Sequence, residues 1–202
     1  MPLPLGIDHA VIVVRDLDAA AADFSGLGFT LTPRGVHSIG SQNHCIMLSS
    51  TYLELLAAPV EHPWLEYYRR FLRERGDGLA AIALASEDAD ATYAELRAHG
   101  VAARAPMDLS RPVEGGMARF RLVQIDGRPA VFACQHLTRE LVWRREWQAH
   151  ENGAAELVGV SLPAAGPFAG LPASIRRSGG PALRIRGLAR AFDAHGVHFA
   201  AC

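Results

Sequence analysis

The stretch Gly6-Ile7-Asp8-His9-Ala10-Val11-Ile12-Val13-Val14 decides how the chain begins to fold. Its β-branched residues are typical of a strand. The next residues, Asp16-Leu17-Asp18, lead into the alanine-rich run Ala19-Ala20-Ala21-Ala22-Asp23-Phe24, which has a high helix propensity. Either aspartate of the short middle segment can cap this helix, and Gly28 can end it. A strand followed by a helix is therefore predicted for residues 6–28.

Three shorter strands are predicted after this helix, because apolar and β-branched residues recur there between turn residues. They are Phe29–Thr32, Cys45–Leu48 and Tyr52–Leu56. The segment at 34–44 carries glycine, serine and histidine, which suits the rim of a cavity. The first 58 residues thus form a βαβββ unit.

The same order of elements returns 72 residues later. Asp88-Ala89-Asp90-Ala91 repeats the pattern of Asp16-Leu17-Asp18-Ala19, and Gly100 repeats Gly28. The predicted strands of this second unit are Leu79–Ala85, Phe120–Gln124 and Pro129–Gln135, the last two joined as a hairpin through Asp126-Gly127. We interpret the chain as an internal duplication.

These patterns predict an α+β fold in which two βαβββ modules form a cupped, largely antiparallel mixed sheet. The predicted units are a first module at 1–58, a connecting amphipathic helix at 59–75, a second module at 76–137 and a C-terminal α+β extension at 138–202. The extension has candidate strands at Glu156–Leu162 and Ala182–Arg186. Because Ala194-His195-Gly196-Val197 echoes Ala98-His99-Gly100-Val101, the extension could be a degraded third module.

The composition excludes several classes of function. With 202 residues, a net charge of −1 and a pI near 6.8, the chain lacks the basic footprint of proteins that bind nucleic acid or acidic membranes. No apolar run is long enough to span a bilayer, the start does not resemble a signal peptide, and the three cysteines form no close-spaced pair. We therefore expect a cytoplasmic protein with reduced thiols. All 20 basic residues are arginine, which excludes a Schiff-base lysine.

Several sequence segments are informative through their order along the chain: Asp8–Ala20, Leu27-Gly28-Phe29, Tyr52-Leu53-Glu54-Leu55, and Trp143–Trp147 with His150–Ala154. Together with the repeated βαβββ unit, they resemble the vicinal oxygen chelate superfamily and, more closely, the glyoxalase-like domain family, over about residues 6–160. The resemblance implies paired modules that close a cupped sheet over a cavity, often with a divalent metal ion. Glyoxalases, extradiol dioxygenases, epimerases and antibiotic-sequestering proteins share this scaffold, so the fold does not name a reaction.

In that superfamily the metal ligands come from the first and fourth strands of each module, which points here to His9 and Glu54. Strand alternation places His9 on one face with Val11, and Glu54 on one face with Tyr52. Imidazole nitrogen and carboxylate oxygen suit Zn²⁺, Fe²⁺, Mn²⁺ or Ni²⁺. Alternatively, the two side chains simply hydrogen-bond each other across the sheet.

The second module does not repeat these ligands. The spacing of 72 sets Ala81 against His9, and the position that matches the glutamate falls near Val131 or Ala133, which are also apolar. His136, at the end of the last strand, is then the candidate third ligand and would complete a two-histidine, one-carboxylate set open to substrate. The alternative for His136 is an ordinary strand-end residue.

Other polar residues are candidates for catalysis and for substrate binding. Glu54 or His37 could act as a general base, although His37 could equally be a solvated loop histidine. Among the arginines, a fork-shaped grip on a substrate carboxylate competes with a solvated position on an edge strand. The candidates for substrate contact are Asn43, His44, Arg111 and Arg121.

Two functional hypotheses follow. The first is a metal-assisted lyase, isomerase or ring-opening dioxygenase that acts on a small oxygen-rich or aromatic molecule. The second is a non-catalytic protein that binds and sequesters a small molecule, which the vacant ligand positions of the second module favour. In both, the partner is a small molecule rather than nucleic acid or a membrane, the cavity closes within one chain, and a homodimer is compatible with the sequence.

Overall fold

A computed structural model of the chain describes residues 5–126, 131–163 and 174–202. The first module contains β1 (Ile7–Val13), α1 (Leu17–Gly26), β2 (Gly35–Val36), β3 (Gln42–Met47) and β4 (Tyr52–Ala57). After the connecting helix α2 (Glu66–Arg75), the second module contains β5 (Gly78–Ala85), α3 (Ala89–Ala98), β6 (Met107–Val113), β7 (Gly116–Gln124) and β8 (Val131–His136). The extension contains two 3₁₀ turns (Arg139–Leu141 and Arg145–Trp147) and the strands β9 (Glu156–Pro163), β10 (Ile175–Ser178), β11 (Ala182–Arg186), β12 (Phe192–Ala194) and β13 (Val197–Ala201).

The two modules share one eight-stranded sheet, in the order β2-β3-β4-β1-β5-β8-β7-β6. In each module the first strand runs parallel to the fourth, and the modules meet where β1 pairs antiparallel with β5. The two edges of the sheet approach each other at the far side, where the Ser38 backbone N–H donates to the Ser110 carbonyl at 2.7 Å. The sheet is therefore a nearly closed cup, and the predicted α+β architecture is confirmed.

The helices of the two modules begin and end in the same way. The side chains of Asp16 and Asp88 accept hydrogen bonds from backbone N–H groups of the first turns of α1 and α3. Each helix is followed by a glycine with positive φ, 83° at Gly28 and 71° at Gly100, a conformation that glycine adopts without steric cost. The helices α1 and α3 are offset by 72 residues, as the sequence repeat predicts.

The predicted strand at Phe29–Thr32 is wrong. Thr32 donates its backbone N–H to the Cys45 carbonyl at 2.9 Å, but the Cys45 N–H is accepted by the Thr32 hydroxyl at 2.9 Å rather than by a carbonyl. Since a side-chain oxygen takes the place of the backbone acceptor, no ladder continues here. Phe29 is buried in the core, and the short strand β2 forms only after it, at Gly35–Val36.

The faces of β1 pack against different surroundings. Ala10 and Ile12 belong to the large apolar core that includes α1 and α3, whereas Val11 packs on the other face with Leu56 and Ala81. That second face is the inside of the cup. The alternation predicted for β1 and β4 is thus confirmed, and it directs polar side chains of both strands into the cup.

The described part of the extension forms a second sheet, in the order β10-β9-β11-β13-β12. Its pairings are in turn parallel, antiparallel, parallel and antiparallel, which is the series found along β8-β5-β1-β4-β3. The sheet packs on α1, where Phe199 contacts Phe24 with ring centres 5.5 Å apart. Its strand order therefore resembles the central strands of the two modules, while helical structure in the described residues of 138–202 consists of two 3₁₀ turns.

The two similar sequence segments that suggest a third module belong to different kinds of secondary structure. Ala98-His99-Gly100-Val101 is the end of α3, whereas Ala194-His195-Gly196-Val197 contains the two-residue turn between β12 and β13, with φ of 46° and 70° at its centre. Both places need a glycine with positive φ, for a helix end in one case and for a hairpin in the other. None of the helices in the part of the chain that the structure describes has the length and apolar composition to cross a lipid bilayer.

Candidate functional site

A cavity of about 100 Å³ lies inside the cup. The edges of both modules enclose it, and side chains of both modules line it. The polar or charged side chains that line it are His9, His37, Ser41, Asn43, Glu54, Arg111 and Gln124, and tyrosines, cysteines and apolar residues complete the lining.

His9 and Glu54 face each other in this cavity. The parallel pairing of β1 with β4 sets Val11 against Glu54. His9 lies two residues before Val11 on the same face of β1, and its Nε2 is 3.8 Å from Glu54 Oε2. This separation is too long for a hydrogen bond. The other carboxylate oxygen, Oε1, accepts a hydrogen bond from Asn43 Nδ2 at 2.7 Å. Glu54 Oε2 is therefore free to react with, or bind, whatever enters the cavity.

The other nitrogen of His9 is held from behind by Asp8. The distance between His9 Nδ1 and Asp8 Oδ2 is 2.6 Å, and His136 Nε2 lies 3.0 Å from the same oxygen. Burial alone would raise the pKa of Asp8, but hydrogen bonds from His136 and His9 hold it well below its usual range. Asp8 is thus an acceptor only, so that His9 donates Nδ1–H and presents Nε2 to the cavity.

His37 is buried in the rim of the cavity. Its Nδ1 lies 2.9 Å from the Ser41 hydroxyl. Burial lowers the pKa of His37 to about 4, with Arg111 adding to the effect and Glu54 opposing it. His37 is therefore neutral at pH 7, and its basicity is far below that of the near-neutral general base expected from the sequence.

Arg111 brings a buried positive charge to the same cavity from the edge strand β6. The residue is 4% exposed, and no carboxylate in the described residues lies within ion-pair distance of its guanidinium group. Its Nε has no hydrogen-bond partner, and neither has the neighbouring Asn43 Oδ1. Burying a charge without a partner is costly, so this arrangement is suited to an anionic ligand.

Aromatic side chains near the start of α2 form the outer wall. Trp64, Tyr67 and Tyr68 line the cavity. The Tyr67 hydroxyl donates to the Ala80 carbonyl at 2.8 Å, which fixes the helix against β5. The cavity thus combines polar side chains on the sheet with aromatic side chains at the start of α2, a common combination in small-molecule sites.

The second module offers apolar side chains where the first has His9 and Glu54. Ala10 pairs with Ile82 across the modules, so that Ala81 matches His9 as predicted. By the same offset of 72, Ala83 of β5 is the equivalent of Val11 of β1. Because Val11 pairs with Glu54 and Ala83 pairs with Phe132, the residue equivalent to Glu54 is Phe132. The predicted match to Val131 or Ala133 is wrong, since the second module has six more residues between its first and fourth strands (82 to 131 against 10 to 53).

Two predicted substrate contacts lie elsewhere. His44 Nδ1 is 2.8 Å from the Thr32 carbonyl, on the opposite face of β3 from Asn43, and His44 does not line the cavity. Arg121 is bound by Asp90 and Asp108 on the outside of the sheet. Alternation along β3 and β7 explains both corrections, because neighbouring residues of a strand face opposite sides.

The structure adds residues that the sequence reading did not select. Asp8 and Cys134 lie next to His9 and His136, and no local sequence signal indicates that strands so distant in the chain come together. An aspartate beside a histidine in an otherwise apolar strand was a usable signal for Asp8. His136, predicted as a third ligand with His9 and Glu54, contacts Asp8 instead and is absent from the cavity lining.

Comparisons with known proteins agree with the fold. Residues 7–169 match the family described as glyoxalase-like domain. Among solved structures, a hypothetical protein from Staphylococcus aureus has a TM-score of 0.73 at 14% identity, over 98% of this chain and 100% of that chain. Methylmalonyl-CoA epimerase from Mycobacterium tuberculosis has a TM-score of 0.50 at 24% identity, over 65% of this chain and 86% of that chain.

These two structural likenesses concern the fold. No curated protein matches the chain by sequence. The family match runs from β1 through both modules and into the extension, and therefore spans most of the chain. The chain belongs to the glyoxalase-like domain family of the vicinal oxygen chelate superfamily.

Proposed function

We propose that this protein is an isomerase or lyase that moves a proton on a small carboxylic acid bound in the cup. The observation that carries the proposal is the placement of Glu54 Oε2, free and facing the cavity, in the same cavity as the buried guanidinium group of Arg111, whose Nε has no hydrogen-bond partner and whose Nη2 has only a 4.0 Å contact to Cys45 Sγ. A carboxylate and a cation in one apolar cavity suit a substrate that has both an acidic C–H group and a negative charge.

Arg111 binds the carboxylate of the substrate in this proposal. A guanidinium group presents several N–H donors in a plane, which match the two oxygens of a carboxylate. Asn43 Oδ1, which has no partner, accepts a hydrogen bond from a substrate hydroxyl, and His37 contributes a neutral ring at the rim. The aromatic side chains of α2 cover the apolar part of the molecule.

Glu54 and His9 carry the proton. Asn43 holds one oxygen of Glu54, which leaves Oε2 to remove a proton from a carbon next to a carbonyl group. His9 Nε2, 3.8 Å away and unprotonated, takes that proton from Glu54 and returns it to the product, and Asp8 keeps the ring in the required orientation. Removal of water by the surrounding apolar wall strengthens these interactions.

The residues also fit part of the metal site that the superfamily implies. His9 Nε2 and Glu54 Oε2 both face the cavity, and these two side chains would hold a divalent ion such as Zn²⁺, Fe²⁺, Mn²⁺ or Ni²⁺. Ala81 and Phe132 provide no further ligands, so the position has two protein ligands in place of four. Such an ion would polarise substrate oxygens, and because it would use the same two atoms, Glu54 Oε2 and His9 Nε2 would not act as base and proton carrier while it is bound.

The proposal is tested by proton exchange in D₂O. Small 2-substituted 3-oxo acids and dicarboxylic acids are incubated with the protein, with and without added divalent ions, and their C–H signals are followed by NMR. We expect at least one acid to exchange with the wild type, and Glu54→Gln to slow this exchange by about 100-fold or more. Glu95→Gln, at an exposed position on α3, is the matched control and should exchange normally.

A non-catalytic ligand-binding protein is the second candidate, and the apolar residues Ala81 and Phe132 at the ligand positions of the second module favour it. In that case acids that raise the melting temperature would keep their C–H protons for as long with the wild type as with Glu54→Gln. The two functions are thus separated by one set of samples.

A further inference from the structure

A group of four buried side chains lies at the wall of the cavity formed by His9 and Cys134, on the side of His9 that faces away from Glu54. Asp8, His9, Cys134 and His136 each have a ligand atom within 4.8 Å of the corresponding atoms of the other three. The side chains of His9 and His136 are 4% exposed, and Asp8 and Cys134 are equally inaccessible. Two imidazole nitrogens, a thiol and a carboxylate are the donors that tetrahedral zinc sites use.

Strand geometry explains how residues so distant in sequence meet. β1 and β8 are separated in the sheet by β5, which presents the small side chain of Ala83 between His9 and Phe132. An irregularity in the pairing of β1 with β5, between Ile7 and His9, lets the side chains of Asp8 and His9 turn to the same place. Small residues and a bulge are common means of aiming side chains at a site.

The hydrogen bonds within the group leave one ring nitrogen, His136 Nδ1, without a partner. Asp8 Oδ2 is shared by His9 Nδ1 at 2.6 Å and His136 Nε2 at 3.0 Å. His136 Nδ1 is buried without any partner, and Trp143 packs on the His136 ring with ring centres 4.9 Å apart. Buried polar groups are normally satisfied, so a buried group with unused capacity among aromatic rings requires an explanation.

We infer that Asp8, His9, Cys134 and His136 bind a zinc-class divalent cation through Asp8 Oδ2, His9 Nδ1, Cys134 Sγ and a ring nitrogen of His136. The thiolate selects soft cations over Mg²⁺ and Ca²⁺, which prefer oxygen ligands. This site is distinct from the position between His9 Nε2 and Glu54, because it uses the opposite nitrogen of the ring. A cation on Nδ1 leaves Nε2 directed at the cavity and fixes the ring there. The inference does not depend on the proposed function.

Cobalt substitution tests this site without any assay of activity. The full-length protein, freed of metal by a chelator and then dialysed, is titrated with Co²⁺ and followed by absorption spectroscopy. We expect the first Co²⁺ bound by each chain to show the visible bands of a tetrahedral ion and the near-ultraviolet charge-transfer band of a cobalt–thiolate bond. Displacement by Zn²⁺ should remove both features.

Matched variants assign the ligands. Cys134→Ser should abolish the thiolate band and lower the Co²⁺ affinity at least about tenfold, and His136→Gln should lower the affinity to a similar degree. The double variant Cys45→Ala/Cys202→Ala should keep the band, and Glu54→Gln should keep both band and affinity. Circular dichroism on each variant checks that the fold is retained.

Three results would overturn the inference. The first is the absence of Co²⁺ uptake by the wild type, and the second is uptake without a thiolate band. The third is an affinity that falls with Glu54→Gln but not with Cys134→Ser, which would place the ion at the cavity position instead. The first two are measured on the wild type and therefore hold even where a variant does not fold. Failure of the proton-exchange test would leave all of these results unaffected.

Discussion

At the scale of single residues, the cavity is defined by charged and polar groups held where water does not reach them. Arg111 has no ion-pair partner in the described residues, Glu54 keeps one oxygen free, and His37 is neutral because burial lowers its pKa. Burying each of these groups without a partner costs free energy, and a bound ligand offsets this cost by supplying the missing partner.

His37 makes the stability of the protein depend on pH. Its pKa is about 4 in the folded state and near 6.5 in the unfolded state, so that the unfolded chain takes up a proton first as the pH falls. Stability from this residue is complete above pH 6.5 and is lost between pH 6.5 and 4, by roughly 3 kcal/mol. Urea unfolding at pH 7 and pH 4 measures the change, and His37→Gln should lack this part of it.

A control separates this effect from the titration of other groups. The exposed His99, at the end of α3, is replaced in His99→Gln, which should keep the pH dependence of the wild type. Asp8, with its pKa held below the ordinary 3.8, adds a loss of stability only at lower pH, because a lowered carboxyl pKa stabilises the fold above the unfolded value. If His37→Gln loses as much stability as the wild type between pH 7 and 4, the assignment to His37 is wrong.

At the scale of elements, the short edge strand β2 sets the width of the cavity. A Cβ atom added at Gly35 would lie 2.5 Å from Asn43 Oδ1 and 2.8 Å from Arg111 Cδ. We expect Gly35→Ala to displace both side chains and to weaken the binding of small carboxylates roughly tenfold, since added volume in a packed site costs 1 kcal/mol or more. Thermal shift with a series of small acids measures the loss.

The matched control for this prediction is Gly26→Ala. Gly26 ends α1, its added Cβ would meet nothing within 4 Å, and its φ is not positive. This variant should bind acids like the wild type and should be no less stable. Equal acid binding by Gly35→Ala and the wild type would show that β2 does not limit the cavity.

The elements also show which parts of the structure can be predicted from the sequence. β1, α1 and α3 are predicted correctly because alternation, aspartate caps and glycine ends are local signals. The strand β6 is not predicted, although Met107, Leu109 and Val113 alternate with polar residues, because the alternation is interrupted by Arg111 and because Pro112 disfavours a strand except at the edge of a sheet. The cavity residue Arg111 lies on this strand, so its burial could not be derived from the sequence.

Contacts between remote strands are the second limit. The proximity of His9 and Glu54 is implied by the family resemblance, in which the first and fourth strands of a module supply ligands, while alternation only places each side chain on one face of its strand. The contact between Asp8 and His136 joins residues 128 positions apart and depends on a local irregularity in β1. The offset between the modules grows from 72 residues at the first strands to 78 at the fourth (131 minus 53), which explains the misplaced match for Glu54.

At the scale of the whole molecule, the C-terminal sheet is attached to the first module through His195. Its Nδ1 lies 2.8 Å from Asp77 Oδ2 and its Nε2 lies 3.2 Å from Asp23 Oδ2, and the ring stacks on Phe24. The residue sits at a positive φ of 46° in the turn between β12 and β13. One side chain thus connects the extension to both α1 and the loop before β5.

His195→Asn removes these contacts but preserves the turn, because Asn-Gly is the preferred pair for a two-residue hairpin with positive φ. We expect the free energy of unfolding to fall by about 1 to 2 kcal/mol, measured by chemical denaturation. His198→Asn, on the same hairpin and exposed with its partner Asp193, should change stability by less than about 0.5 kcal/mol. Equal stability of the two variants would show that His195 does not hold the sheets together.

The central claim is that two residues of the cavity have separate roles: Arg111 binds the carboxylate of the substrate, and Glu54 moves the proton. It is tested most directly by measuring affinity and C–H exchange for one acid with the wild type, Arg111→Gln and Glu54→Gln. We predict that Arg111→Gln lowers the affinity about 10- to 100-fold, while Glu54→Gln binds at least as tightly as the wild type but exchanges no protons. Exchange by Glu54→Gln at the wild-type rate, or undiminished affinity in Arg111→Gln, would contradict the account.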